Sequence, residues 1–201
     1  EPPASEPAHH LEALGQVANA YIVCRSGQDL LLVDQHRAAE RIIADELAQR
    51  EHRVIRQMLV LPLTLELTDA ENAAVQQHLQ LLAELGFELE PFGGANWLLR
   101  SVPASLAERN AEQVLAGIIE ELAEWGRSDA DDVRERLIAS IACHGAIKAG
   151  EPLSEREMAR LVAQLSASAT PAICPHGDPI IISISAEELD RRFRRPYRSE
   201  E

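Results

Sequence analysis

Three short segments, far apart in the sequence, carry the residue types that bind a metal ion. The first covers 34–40, and the others lie around residues 143 and 174. Together they supply two thiolates, two imidazoles and two carboxylates, the donor set expected for zinc or a similar divalent ion. We interpret them as pieces of one site, which a fold can form only by bringing these segments together. The candidate residues are Asp34, His36, Glu40, Cys143, Cys174 and His176.

The composition is that of an ordinary soluble globular protein. Hydrophobic residues make up 46% and charged residues 26% of the 201 residues, enough for one large domain or two small ones. No apolar run approaches the length of a membrane span, so we expect no membrane association. Three scattered cysteines form no disulfide framework and fit a cytoplasmic location. The proline-rich start predicts that 1–13 is the end of a linker.

The formal net charge of −14 argues against a chain that grips DNA on its own, because a phosphate backbone needs a basic footprint. A role on DNA would need a local basic patch or help from elsewhere. One dense basic cluster lies near the C-terminus, and a solvated tail explains it better than a DNA clamp does. It contains Arg191, Arg192, Arg194, Arg195 and Arg198.

Strand-like and helical patterns alternate along the chain, which predicts an α+β fold. Short β-branched or alternating runs mark the strands, and a 3.6-residue apolar repeat marks the helices. Thr68 with Glu71, and Ser154 with Glu157, are predicted capping boxes. The predicted strands cover 17–23, 29–33, 54–61, 63–67, two short runs within 87–102, and 180–184; the predicted helices cover 34–50, 68–85, 111–125, 131–149 and 154–165.

These elements fall into three stretches after the linker end at 1–13. The stretches 14–62 and 129–201 contain all the candidate ligands. The middle stretch, 63–128, contains none of them and no glycine-rich phosphate loop. Its predicted β-α-β-β-α order suits a compact accessory subdomain.

The first segment also has an interpretation that needs no metal. Asp34 can cap the helix that follows it, while His36 and Glu40, four residues apart on one helix face, can point to solvent. Spacing alone slightly favours this interpretation. Cys143 is more informative, because it falls opposite the apolar stripe of its predicted helix. The segment 174–176 places a thiolate and an imidazole two residues apart, where a proline prevents helix formation.

In combination, the motifs resemble those of the C-terminal domain of MutL-type DNA mismatch repair proteins, in the branch that bears an endonuclease. That branch carries the motifs DQHAxxExxxxE, ACR, CPHGRP and FxR. The corresponding segments here are 34–45, 142–144, 174–179 and 193–195, in the family's order. The resemblance extends from about Leu14 to Arg195.

The resemblance implies a dimerisation subdomain formed by the N- and C-terminal parts of the chain, with an external subdomain inserted between them. It also implies a homodimer that nicks the DNA strand under repair, supported by Mn²⁺ (or Mg²⁺), with Zn²⁺ as a bound regulatory or structural ion. The full-length protein would act with a MutS-type mismatch-recognition protein. Carried over by motif, Asp34 is the catalytic carboxylate. The implied metal ligands are His36, Glu40, Cys143, Cys174 and His176.

Four positions depart from the family's motifs. Arg37 replaces the motif alanine, and Asp45, next to Glu46, stands where the second glutamate is expected. His144 and Asp178 replace motif arginines, which removes positive charge near the expected phosphate path. Because every candidate ligand is present, we expect an active nuclease with weak DNA binding.

One further segment is similar to the QxLxxP peptide through which these proteins bind the sliding clamp. Gln57 would hydrogen-bond, while Leu59 and Leu61 would fill an apolar pocket. Without the resemblance, an ordinary strand ended by a proline is the simpler interpretation. Delivery by a clamp would reconcile an acidic nuclease domain with DNA. The predicted clamp-binding residues are Gln57, Met58, Leu59, Val60, Leu61 and Pro62.

The competing hypothesis is a dimerisation platform that binds zinc for structure only. A purely structural zinc site would not need Asp34, so the presence of that residue favours the enzyme. A free-standing metallohydrolase is a further alternative, which the linker-like start and the lack of a substrate-pocket signature disfavour.

Overall fold

The computed structural model describes residues 11–48, 54–125, 130–168 and 170–195. It has the α+β class predicted from the sequence, with helices and antiparallel sheets. None of the described helices is long and apolar enough to cross a membrane. In chain order the elements are β1 (Glu12–Val17), β2 (Tyr21–Ser26), β3 (Asp29–Asp34), α1 (Gln35–Ala48), β4 (Arg56–Glu66), α2 (Asp69–Glu84), β5 (Glu88–Pro91), β6 (Asn96–Pro103), α3 (Ala111–Trp125), α4 (Ala130–Gly145), α5 (Glu155–Ser166), β7 (Ile181–Ile184) and α6 (Ala186–Arg192).

The chain divides into two compact units. Residues 1–42 and 147–201 form the first unit, and residues 43–146 form the second. One unit is thus built from both ends of the chain, with the other inserted between them. The divisions fall within α1 and just after α4, whereas the sequence placed them after residues 62 and 128. The difference at residue 62 arises because that position lies inside a single strand, β4.

The first unit is built on a four-stranded antiparallel sheet in the order β1-β2-β3-β7. In its register Ile22 lies opposite Val33, which in turn lies opposite Ile181. Ile22, Cys24 and Val33 are buried, so this face of the sheet belongs to the core. The amphipathic helix α5 contacts β1 and buries Met158, Leu161, Val162 and Leu165.

The strand predicted at 17–23 is wrong, because a turn interrupts it. Ala18 and Asn19 adopt φ angles of 53° and 48°, so β1 ends at Val17 and β2 begins at Tyr21. No glycine marks this turn, although asparagine enters the left-handed region more readily than most residues. β1 begins within the predicted linker end. Residues 1–10 of that segment lie outside the described residues.

The second unit packs helices on a three-stranded antiparallel sheet in the order β4-β6-β5. Helix α3 contacts both α2 and α4. The strands predicted at 54–61 and 63–67 are one strand, β4, whose register with β6 is irregular between Met58 and Leu63. Pro62 lies in that interval and has no N–H to donate to the ladder. The largest fully buried side chains of the second unit are Phe87, Leu47, Leu82, Leu85, Leu99, Leu106, Leu115, Ile118, Ile119, Leu137 and Ile141.

Both predicted capping boxes are confirmed. The N–H groups of Thr68 and Ser154 each donate to the glutamate three residues later, at 2.7 Å. Helix α4 ends at Gly145, four residues before the predicted end. Helix α6 was not predicted; Ser185 caps it by accepting the N–H of Glu188 at 3.1 Å.

Candidate metal centre

Asp34 lies where β3 ends and α1 begins. Its Oδ1 accepts the N–H groups of His36 at 3.0 Å and Arg37 at 3.1 Å, so it caps the helix. This satisfies two backbone donors that the first turn of a helix leaves without a partner. The capping role predicted for Asp34 is therefore confirmed. The accompanying prediction, that His36 and Glu40 both point to solvent, is wrong because Glu40 is buried.

Glu40 is 4% exposed, and it is the one charged residue among the buried polar residues of the described ranges. Its two carboxylate oxygens face two different imidazoles. Oε1 lies 3.3 Å from Nε2 of His36, and Oε2 lies 3.7 Å from Nδ1 of His176. A buried carboxylate is costly unless a cation or several donors compensate for its charge. The charge of Glu40 is thus available to hold a cation at this point.

The ring of His36 is oriented by the backbone. Its Nδ1 lies 2.8 Å from the carbonyl oxygen of Ile147. A carbonyl oxygen only accepts, so Nδ1 carries the proton and donates. In the neutral ring this leaves the lone pair on Nε2, the atom that faces Glu40. An imidazole held in this way is the usual state of a metal ligand.

Cys174 and His176 lie on a tight turn of the first unit. The N–H of Cys174 donates to the carbonyl of Asp178 at 2.9 Å, and the N–H of Gly177 donates to the carbonyl of Cys174 at 3.0 Å. Gly177 has a φ of 87°, which other residues adopt only with strain. Cys174 is 3% exposed, whereas the side chain of His176 is 55% exposed. One ligand is thus supplied from the core side and the other from the surface.

Ligand atoms of Glu40, Cys174 and His176 all lie within 4.8 Å of one another. Ligand atoms around one tetrahedral zinc ion lie about 3.3–3.8 Å apart, so a small closure would place all three on one ion. The set combines a carboxylate, a thiolate and an imidazole, which suits zinc. These three residues fit a metal ion. His36 adjoins the group through Glu40, since its Nε2 faces the other oxygen of that carboxylate.

Gln35 is a site residue whose role the sequence reading missed. It is fully buried, and its Nε2 lies 2.8 Å from the carbonyl of Asn19, 2.9 Å from that of Lys148 and 3.1 Å from that of Glu151. Its Oε1 accepts from Gln16 at 2.5 Å. Gln35 thus fixes the segment that carries the carbonyl of Ile147. A polar residue between two candidate site residues was the available signal.

Cys143 lies on α4 in the second unit. It is exposed, while Leu137, Ile138 and Ile141 are buried, so its predicted position opposite the apolar stripe is confirmed. Its membership of the metal site stays a prediction.

His144, which replaces a motif arginine, pairs with a residue of α3. Its Nε2 lies 2.8 Å from Oε1 of Glu121. The ring lies against Gly117, where an added Cβ would come within 2.5 Å of it. His144 thus pairs with Glu121, and only a glycine at position 117 leaves room for its ring.

Asp45 and Glu46, at the end of the first motif, lie in the second unit. Both are partly buried. Burial raises the pKa of Glu46, and hydrogen bonding with Ser105 opposes that change.

The predicted clamp-binding segment lies in β4, at the edge of its sheet. Val60 is 98% exposed and Leu61 is 76% exposed, while Leu59 is partly buried against the core of the second unit. Gln57 and Pro62 are exposed. The segment coincides with the irregular register between Met58 and Leu63, so several apolar side chains project from an interrupted ladder.

Comparisons with known proteins agree on one family. Residues 14–153 match the model of the MutL C terminal dimerisation domain. The DNA mismatch repair protein MutL of Geotalea uraniireducens is 40% identical over 92% of this chain and 31% of its own length. That of Symbiobacterium thermophilum is 40% identical over 96% of this chain and 32% of its own length. That of Methanothrix thermoacetophila is 38% identical over 95% of this chain and 34% of its own length.

The chain spans about a third of the length of these curated relatives. The matched family region includes Asp34, His36, Glu40 and Cys143, and the alignments with relatives extend over nearly the whole chain. By both the family model and the identities to these relatives, the chain belongs to the MutL C-terminal dimerisation domain family.

Proposed function

We propose that this chain is the homodimerising C-terminal part of a cytoplasmic DNA mismatch repair protein and that it carries a latent, metal-dependent nicking endonuclease. The observation that carries the catalytic part is the convergence of Glu40, Cys174 and His176 in the same unit as Asp34. The relatives are named as DNA mismatch repair proteins, which supports the biological role.

Glu40, Cys174 and His176 would hold a divalent ion, with His36 and the predicted ligand Cys143 completing the set. An ion bound there would lower the pKa of a water molecule and offset the charge of a phosphodiester. The carboxylate and thiolate favour zinc for the resident ion, while Asp34, a hard oxygen donor, suits Mn²⁺ or Mg²⁺.

Asp34 would act through the oxygen that the helix does not use. Its Oδ1 is occupied by two backbone N–H groups, which fixes the orientation of the carboxylate. Oδ2 forms a loose ion pair with Nε of Arg37 at 3.9 Å, which leaves room for a further partner. A carboxylate fixed in this way needs no reordering before it orients a water molecule or an ion.

The homodimer would form through the open face of the sheet in the first unit. Opposite the core face, Val17 is 54%, Tyr21 45% and Ile182 58% exposed. Tyr21 lies opposite Val17 in the register, and Ile182 lies opposite Leu32. An apolar surface that spans several strands is costly in water and marks an interface. A second copy of this chain is the occupant we propose, because the family model describes a dimerisation domain.

Delivery to DNA would depend on a sliding clamp and, in the full-length protein, on a MutS-type partner. The net charge of −14 makes strong unaided DNA binding unfavourable. Of the two predicted anchor side chains, Leu61 is exposed at this edge strand, and Leu59 is partly buried against the core of the second unit and would have to turn outward to dock.

A non-catalytic platform with a structural zinc ion is the second candidate function. The observation in its favour is that Asp34 already has a structural use as a helix cap.

The two candidates are separated by the variant Asp34→Asn. We expect it to keep the bound zinc of the wild-type protein, measured by elemental analysis, and to lose nicking of supercoiled plasmid with Mn²⁺, clamp and clamp loader. Asp190→Asn, on α6, serves as the matched control and should nick normally. Equal nicking by Asp34→Asn and wild type, or no nicking by the wild type under these conditions, would reject the catalytic proposal.

A further inference from the structure

Two of the departures from the family's motifs contact each other. Arg37 is on the first turn of α1, and Asp178 is on the turn that carries Cys174 and His176. Nη2 of Arg37 lies 3.2 Å from Oδ2 of Asp178. These two positions that differ from the resembled motifs therefore carry an arginine and an aspartate that form an ion pair.

Arg37 makes two more contacts around this pair. Its Nη1 donates to the carbonyl oxygen of Pro179 at 3.0 Å, and its Nε lies 3.9 Å from Oδ2 of Asp34. The guanidinium group is a rigid planar fork, so contacts on several of its nitrogens fix both partners in space. One side chain thus connects the candidate catalytic carboxylate with the turn of the metal ligands.

The charges around Arg37 argue against a role in holding DNA phosphates. Its single positive charge lies between two carboxylates, those of Asp34 and Asp178. The local sum is negative, and a phosphate approaching it would be repelled rather than attracted. The backbone contact to Pro179 points instead to a role in geometry.

We propose that Arg37 is a positioning residue that fastens the 174–179 turn to α1, so that Cys174 and His176 meet Glu40. Helix α1 carries Arg37 and Glu40 three residues apart, on neighbouring positions of one face. The turn reaches α1 through Arg37 at Asp178 and Pro179 and through Glu40 at His176. This inference rests on the proposed metal-dependent function.

The test is the zinc affinity of the full chain, measured by competition with a coloured chelator. Arg37→Ala should fold, since alanine is the best helix former and Arg37 lies on α1, and should bind zinc about fivefold more weakly, the upper range for an exposed ion pair. Asp178→Ala should lose less zinc affinity than Arg37→Ala, because the contact of Arg37 with the carbonyl of Pro179 remains. The double variant should match Arg37→Ala, since both changes break one connection. Arg192→Ala, which breaks the exposed pair with Glu188 on α6, is the control and should bind as the wild type does.

A second readout separates positioning from general stability. With Co²⁺ in place of zinc, the thiolate absorption band should shift in Arg37→Ala and stay unchanged in Arg192→Ala. Unchanged affinity and an unchanged spectrum in Arg37→Ala would overturn the inference, as would weaker DNA binding with normal zinc affinity. Failure of the wild type itself to bind zinc would instead overturn the proposed function on which the inference depends.

Discussion

The side-chain amide of Gln35 lies 2.9 Å from the carbonyl oxygen of Lys148. The carbonyl oxygen of the preceding residue, Ile147, accepts a hydrogen bond from Nδ1 of His36. The side chains of Gln35 and His36 therefore bind the carbonyls of two consecutive residues. The segment after α4 thus supplies acceptors to the side chains of the first turn of α1. The orientation of His36 is thus linked to Gln35, which is not itself a candidate metal ligand.

Gln35→Ala should destabilise the chain and weaken zinc binding together. Removal of the amide deletes its hydrogen bonds to the carbonyls of Asn19 and Lys148, at a cost of about 1 kcal/mol. Urea unfolding measures the first effect, and chelator competition measures the second. Gln80→Ala, at an exposed position of α2, is the matched control and should change neither. Normal zinc affinity in Gln35→Ala would show that the 147–151 segment does not orient His36.

Glu40→Gln should abolish tight zinc binding. The change keeps the shape of the side chain but removes the negative charge that faces His36 and His176. Since an amide is a poor metal ligand, zinc content after dialysis should fall to near zero in elemental analysis. The control Glu188→Gln changes a helix glutamate that pairs with Arg192, outside the proposed centre, and should keep its zinc. Retained zinc in Glu40→Gln would remove Glu40 from the site.

Tyr21→Glu should convert the dimer into monomers. A carboxylate at the start of β2, on the open sheet face, would have to be buried without a partner when two copies meet. Light scattering at several concentrations gives the mass. Val60→Glu is the control, because Val60 is also exposed and apolar but belongs to the second unit. Dimers of normal affinity in Tyr21→Glu would place the interface elsewhere.

The double variant Gln57→Ala with Pro62→Ala should lose clamp binding while its zinc content stays normal. Gln57 is exposed, and its side-chain amide donates to the neighbouring carbonyl of Met58 at 3.2 Å, so loss of the side chain should cost little stability. Surface plasmon resonance against immobilised clamp is the measurement. Gln76→Ala on α2 should bind the clamp as the wild type does. If the double variant still bound the clamp normally, the docking role of this segment would be wrong.

The three cysteines should differ in reactivity toward iodoacetamide at pH 8. Burial raises the pKa of Cys24 to about 11, so only about one in a thousand of its side chains is a thiolate at that pH. Cys143 is exposed and should react first. Mass spectrometry after a timed pulse should find Cys24 unlabelled. Added zinc should protect Cys174, and protection of Cys143 as well would support its place among the ligands; fast labelling of Cys143 in saturating zinc would exclude it.

Local signals in the sequence predicted the parts of the fold that depend on neighbouring residues. The capping boxes at Thr68 and Ser154 formed because each involves four consecutive residues. The turn at Ala18 and Asn19 was missed because neither residue requires a positive φ. The end of α4 was misplaced because the prediction used Gly150 as the stop signal, whereas the helix ends at the earlier glycine, Gly145.

The candidate site was predictable in its residue types and not in its environments. Helical spacing placed His36 and Glu40 on one face, yet it could not show that Glu40 is buried and His36 partly exposed. Burial depends on how the 174–179 turn approaches α1, which no local pattern encodes. The pairing of Arg37 with Asp178 was hidden for the same reason, since each looked like an isolated loss of a motif residue.

The division of the first unit between the two ends of the chain has a consequence for biosynthesis. The whole of the second unit is translated after Glu40 and before Cys174. A ribosome must therefore have made the whole of the second unit before the ligands can meet. Prior folding of the inserted unit shortens the effective loop that remains to be closed. Metal capture is then a late event in maturation, and a chain truncated before Cys174 carries an incomplete centre.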